Sequence, residues 1–102
     1  PRIEFDRELV AEICRAFGVR ELAIFGSALR DDFTPNSDID VLVEFEDTEY
    51  GSWLRKLDEF EQSLSQLFGR NVDVVLKGSV EASENYIRRR NIFDSARLVY
   101  VA

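Results

Sequence analysis

Two aspartates stand two positions apart where the chain alternates most regularly between apolar and polar residues. Asp38 and Asp40 open a segment whose other face carries Ile39, Val41, Val43 and Phe45. This alternation predicts a strand over residues 38–45. Residues two apart on a strand share a face, so both carboxylates point the same way, with Cα atoms roughly 6–7 Å apart. Their repulsion favours a bound cation with oxygen ligands.

A third aspartate interrupts another apolar segment. Asp73 lies in the stretch from Val72 to Lys77, which also has the pattern of a strand. If this strand pairs beside the strand of Asp38 and Asp40, all three carboxylates can share one site. Three carboxylates on one face suit two Mg²⁺ ions about 4 Å apart, the arrangement used for in-line phosphoryl transfer. Each aspartate taken alone is equally consistent with a solvated strand edge, so the prediction depends on the combination.

Gly26 and Ser27 follow the apolar run from Leu22 to Phe25, which is typical of a buried strand. A glycine at the end of a strand lets the backbone approach a phosphate closely, and the Ser27 hydroxyl can donate to a phosphate oxygen. Arg30 can place positive charge near a triphosphate. The alternatives are a simple strand-ending turn and a solvated arginine.

The elements that must position these residues follow from periodicity and capping. Asp6 is a candidate N-cap of a helix over residues 6–17, and apolar residues at helical spacing predict a long helix from Trp53 to Phe68. A short helix is predicted over residues 84–90, and residues 97–101 fit either a last strand or a helical end. Helices that alternate with strands in this way predict the α/β (α+β) class: a small mixed β-sheet with helices packed on it.

Composition narrows the chemistry further. The chain has 102 residues, enough for a single domain over residues 1–102, and it has no histidine and one cysteine, Cys14. Without histidine, Ser-His-Asp and Cys-His catalysis and histidine-ligated zinc are excluded. Asp and Glu total 20 against 13 Lys and Arg, and the net charge of -7 argues against a general nucleic-acid binder and favours a basic protein partner. No apolar run has the length of a membrane span, and the lone cysteine fits a reducing cytoplasm.

Gly26-Ser27, ten further residues and then Asp38-Ile39-Asp40 resemble the G-S-x10-D-x-D signature of the polymerase-beta-type nucleotidyltransferase superfamily. Within it, nearly the whole chain resembles the minimal nucleotidyltransferases. The resemblance implies that Gly26 and Ser27 hold the phosphates of ATP and that Asp38 and Asp40 bind two Mg²⁺ or Mn²⁺ ions. Asp73 would be the third acid, which helps bind the catalytic metal and takes the proton of the acceptor hydroxyl.

Many minimal members of this superfamily are antitoxins of helical HEPN ribonuclease toxins. The resemblance therefore implies transfer of AMP from ATP to a tyrosine of such a toxin. Three alternatives stay open: an antitoxin that acts by binding alone, a catalytic subunit that modifies a small molecule presented by a helical partner, and a small acidic domain that binds a structural cation.

Overall fold

The first helix begins at a side-chain cap and buries one face. The computed structural model describes residues 5–26, 37–46 and 53–102, with only the backbone at residues 53 and 54. Helix α1 spans Arg7–Ala16, and Asp6 caps it by accepting hydrogen bonds from the backbone N–H groups of Glu8 and Leu9. Val10 and Cys14 are its buried residues. The helix and cap predicted from the sequence are therefore confirmed.

Four strands form one mixed sheet. They are β1 (Val19–Phe25), β2 (Ile39–Phe45), β3 (Val72–Leu76) and β4 (Arg97–Val101), in the spatial order β3-β2-β1-β4. β1 pairs antiparallel with β2 and with β4, whereas β2 and β3 are parallel. Parallel neighbours need a crossover, and helix α2 (Trp53–Phe68) supplies it. The terminal segment is thus a strand, which the sequence left undecided.

The larger core lies between one face of the sheet and the first two helices. Alternate residues of the strands fill it, because successive side chains of a strand point to opposite faces. Phe60 and Leu64 of α2 and Val10 of α1 are fully buried there. The strand residues of this core are Val19, Leu22, Ile24, Ile39, Val41, Val43, Val72 and Val99. The predicted apolar face of the β2 segment is the face that packs here.

Two short helices pack against the opposite face. Helix α3 spans Lys77–Glu81 and α4 spans Tyr86–Ser95. Their buried residues, Val80 and Ile92, pack in a second cluster with Ala23, Phe25 and Leu42 of the sheet. The sequence predicted a strand through residue 77 and a helix over 84–90. In the structure the strand ends at Leu76, α3 follows at once, and the last helix lies further along the chain.

The α+β architecture predicted from the sequence is confirmed by this mixed sheet with its helices. Among the described residues, no helix has both the length and the apolar character that crossing a membrane requires.

Candidate active site

The parallel pairing of β2 and β3 brings two of the predicted carboxylates side by side. Asp40 and Asp73 are direct Cα partners across the two strands, so both side chains leave the same face of the sheet. Asp38 precedes β2 by one residue and lies two positions before Asp40, at the same end of the strand. Asp38 and Asp73 are exposed and Asp40 is half-buried. The structure therefore gathers the three aspartates at one end of the sheet, open to solvent.

Gly26 lies at the same end of the sheet, directly after the last residue of β1. Phe25, the last residue of β1, is the Cα partner of Asp40, so Gly26 follows directly beside that carboxylate. Its φ of +76° lies in the left-handed region that favours glycine. A Cβ at this position would come within 2.6 Å of the Asp40 Oδ2 atom. Both the backbone conformation and the space next to Asp40 therefore require glycine.

Two of the residues predicted to bind the nucleotide, Ser27 and Arg30, lie outside the described residues, in the stretch from 27 to 36. Their roles stay predictions. Gly26 is the last described residue before that stretch and lies against Asp40.

A fourth carboxylate contributes to the electrostatics of this end of the molecule. The pKa of Glu61, on α2, is raised above its usual range, first by burial and then by the negative charges of Asp73 and Asp58. Sequence reasoning missed Glu61 because it stands on the polar side of the apolar stripe of α2, where carboxylates are ordinary. Burial is the main cause of this shift, and the contribution from Asp73 places Glu61 within electrostatic range of that carboxylate.

The donor atoms at this end suit a hard divalent cation. Carboxylate oxygens are the ligands that Mg²⁺ prefers, and no softer donor lies beside them, since Cys14 is buried in α1. Among residues 5–26, 37–46 and 53–102, no three acidic or cysteine side chains converge on one point. The donor type and the register of Asp40 with Asp73 fit a hard divalent cation, although the three carboxylates do not form a ready-made coordination sphere in this structure.

A separate cavity of about 210 Å³ lies on the same face of the sheet but near its other end. Its floor and wall include Ala23, Leu42 and Phe93, and an ion pair between Lys77 Nζ and Glu21 Oε2, 3.0 Å apart, lies at its edge. None of the three aspartates lines it. The cavity is therefore distinct from the site of the carboxylates.

Cys14 takes no part in this site. It is fully buried, and burial raises the pKa of its thiol to about 12. The thiolate is the nucleophilic form of cysteine, so this side chain is unreactive near neutral pH.

Comparison with known proteins gives a consistent result. The sequence matches the model of the nucleotidyltransferase domain family over residues 6–99. It is 41% identical over 71 residues to the protein adenylyltransferase MntA of Thermococcus cleftensis. The aligned residues make up 70% of this chain and 69% of that protein. A solved candidate minimal nucleotidyltransferase is 27% identical, with a TM-score of 0.68 and coverage of 89% of this chain and 86% of the other. A toxin-antitoxin crystal structure with AMP-PNP shares the fold, with 18% identity, a TM-score of 0.68 and coverage of 95% and 74%.

Proposed function

The chain belongs to the nucleotidyltransferase domain family, and from that premise we propose that it transfers AMP from ATP to a hydroxyl group of a partner protein. The observation that carries the proposal is the register of Asp40 with Asp73 on neighbouring parallel strands. Two carboxylates side by side on neighbouring strands repel each other, and a cation between them would offset that repulsion. A cation-dependent reaction on a phosphate ester accounts for their placement.

In the proposed reaction the acceptor oxygen attacks the α-phosphorus of ATP. A new O–P bond forms, the bond from the α-phosphorus to the bridging oxygen breaks, and pyrophosphate leaves with that oxygen. The proton of the acceptor hydroxyl passes to the carboxylate of Asp73. Asp38, Asp40 and Asp73 would hold Mg²⁺ or Mn²⁺, which neutralises phosphate charge when bound. Gly26 and Ser27, with Arg30, would orient the phosphates.

The acceptor that we propose is a tyrosine of a helical HEPN-type toxin, which makes this chain an antitoxin in the cytoplasm. Two observations support this choice. The relative from Thermococcus cleftensis is a protein adenylyltransferase, and a structural neighbour is a toxin-antitoxin pair with a nucleotide analogue. The net charge of -7 would also favour a basic partner.

The test uses ATP labelled at the α-phosphate, with Mg²⁺, and the purified chain alone and then with the product of the adjacent gene. We expect label on the partner, and its loss when EDTA removes the metal. Asp38→Asn combined with Asp40→Asn should lower transfer at least about 1,000-fold, since two of the three proposed metal ligands are lost. The matched control, Glu12→Gln combined with Asp94→Asn, removes two exposed carboxylates elsewhere and should transfer normally.

Full transfer by the Asp38→Asn, Asp40→Asn variant would show that the site is wrong. A tight complex without any label would favour an antitoxin that acts by binding alone. Label on a small molecule held by the partner, rather than on its tyrosine, would favour the alternative of a catalytic subunit.

A further inference from the structure

The turn between α2 and β3 is fixed by hydrogen bonds from its own helix. Gly69, with a φ of +69°, ends α2 in the left-handed conformation. The backbone N–H groups of Gly69 and Arg70 both donate to the carbonyl of Ser65, at 2.9 and 3.2 Å. The hydroxyl oxygen of Ser65 then accepts from the N–H of Val72 at 3.1 Å. The start of β3 is thus tied to the last turn of the helix.

The same turn also holds the start of β2 on both sides of Asp38. The N–H of Ile39 donates to the carbonyl of Asn71 at 3.0 Å. Arg70 Nη1 donates to the backbone carbonyl of Ser37 at 3.3 Å. The residue before Asp38 and the residue after it are therefore both bonded to the pair Arg70-Asn71. Only one of these two bonds comes from a side chain, and that side chain is Arg70.

We infer that Arg70 is a positioning residue, which holds Asp38 in the orientation that binds the divalent cation. The inference rests on the proposed function. The direction of the Asp38 carboxylate depends on the backbone dihedrals of Asp38. The carbonyl of Ser37 belongs to the peptide unit that precedes Asp38, so the hydrogen bond from Arg70 restrains those dihedrals. Partners that orient a metal ligand from behind typically change metal affinity or activity by about 10–100-fold when removed. Arg70 is half-buried, and its planar guanidinium holds a donor in fixed geometry against the Ser37 carbonyl, which a lysine ammonium does not reproduce.

A purely electrostatic role for Arg70 would give the opposite result. A guanidinium beside a carboxylate site repels an incoming cation, so its removal would strengthen metal binding. Removal of a positioning residue weakens metal binding, because the carboxylate loses its orientation. The sign of the change in affinity therefore separates the two roles.

The experiment measures Mn²⁺ affinity of the full chain by electron paramagnetic resonance of free Mn²⁺, without ATP, well below the unfolding temperature. We expect Arg70→Ala to raise the Kd about 10–100-fold. Arg70→Lys keeps the charge and one donor, so it should recover part of the affinity. The matched control Arg55→Ala removes an exposed arginine whose contact with Glu59 is 4.0 Å, and its Kd should stay within about twofold of wild type.

Thermal unfolding in EDTA separates positioning from a loss of fold, because a variant that is only less stable keeps its Kd at low temperature. An unchanged or tighter Kd in Arg70→Ala would overturn the inference and leave the proposed function standing. If Arg70→Ala does not fold, a Kd for Arg70→Lys equal to that of wild type overturns it instead. A wild-type chain that binds no Mn²⁺ and transfers no AMP would overturn the proposed function, and the inference with it.

Discussion

At the scale of single residues, Gly26 affects both the backbone conformation after β1 and the position of the Asp40 carboxylate. Its positive φ would strain any other residue, and its Cα lies against the Asp40 carboxylate. Gly26→Ala should therefore act in two ways at once. The left-handed conformation costs about 1–2 kcal/mol of unfolding free energy, and the new methyl group displaces Asp40. A shift of about 1 Å in the position of a reacting or metal-binding group can lower the rate about 100-fold.

Urea unfolding and the labelled-ATP assay measure the two effects of Gly26→Ala separately. Gly78→Ala is the matched control, because Gly78 lies in α3 without a positive φ, and a Cβ added there would meet no atom within 4 Å. We expect that variant to be as stable as wild type or slightly more so. Unchanged AMP transfer in Gly26→Ala would show that Gly26 does not shape the site.

Single residues were also what the sequence indicated most directly. Asp38 and Asp40 were predicted to share a face because a strand has a period of two; in the structure Asp40 lies in β2 and Asp38 lies one residue before its start. The partnership of Asp40 with Asp73 depended on strand order, which no local pattern contains. Glu61 escaped notice for the same reason, since its proximity to Asp73 exists only in the folded chain.

At the scale of elements, the junction of β3 and α3 is tied to β1 by one ion pair. Lys77 Nζ lies 3.0 Å from Glu21 Oε2, and this hydrogen bond is the main cause that raises the pKa of Lys77 above its usual 10.5. A raised pKa in the folded state means that the ion pair stabilises the fold fully below the pKa of the unfolded chain. That stabilisation is lost as the pH rises through the folded pKa.

We therefore expect the unfolding free energy of wild type to fall more steeply above about pH 10 than that of Lys77→Met, because the unfolded pKa is 10.5 and the folded pKa is higher. Urea unfolding across this range measures the difference. Glu21→Gln removes the partner and should flatten the profile in the same way. Parallel profiles for wild type and Lys77→Met would show that the ion pair contributes nothing to stability.

The sequence did not predict α3 and predicted α4 with different bounds, over residues 84–90, because the extent of both helices depends on tertiary packing. Helix α3 has five residues and includes Gly78 and Ser79, which are poor helix formers. Its single buried residue, Val80, packs under the sheet, and that contact cannot be read from a local pattern. Helix α4 carries three consecutive arginines and buries only Ile92, so its apolar periodicity is weak. The long, strongly amphipathic α2 was predicted with the bounds that the structure shows.

At the scale of the whole molecule, the excess of negative charge and the exposed carboxylates make stability depend on cations. If Mg²⁺ or Mn²⁺ binds only the folded chain, saturating metal at about 100 times the Kd adds about 2.7 kcal/mol, which raises the Tm by about 10 °C. Differential scanning fluorimetry measures this shift. NaCl at equal ionic strength controls for general screening of the net charge of -7. An equal shift with NaCl, or an equal metal shift in the Asp38→Asn, Asp40→Asn variant, would argue against a specific site.

The hydrogen-bonded turn from Gly69 to Val72 limits which insertions the gene can accept. One codon inserted there would slip β3 by one residue against β2 and send Asp73 into the apolar core between the sheet and α2. Two codons would restore the face but move Asp73 away from Asp40 along the strand. The number of residues in this turn is therefore constrained independently of which residues occupy it. Insertions should therefore be absent from this turn in every descendant that keeps the chemistry.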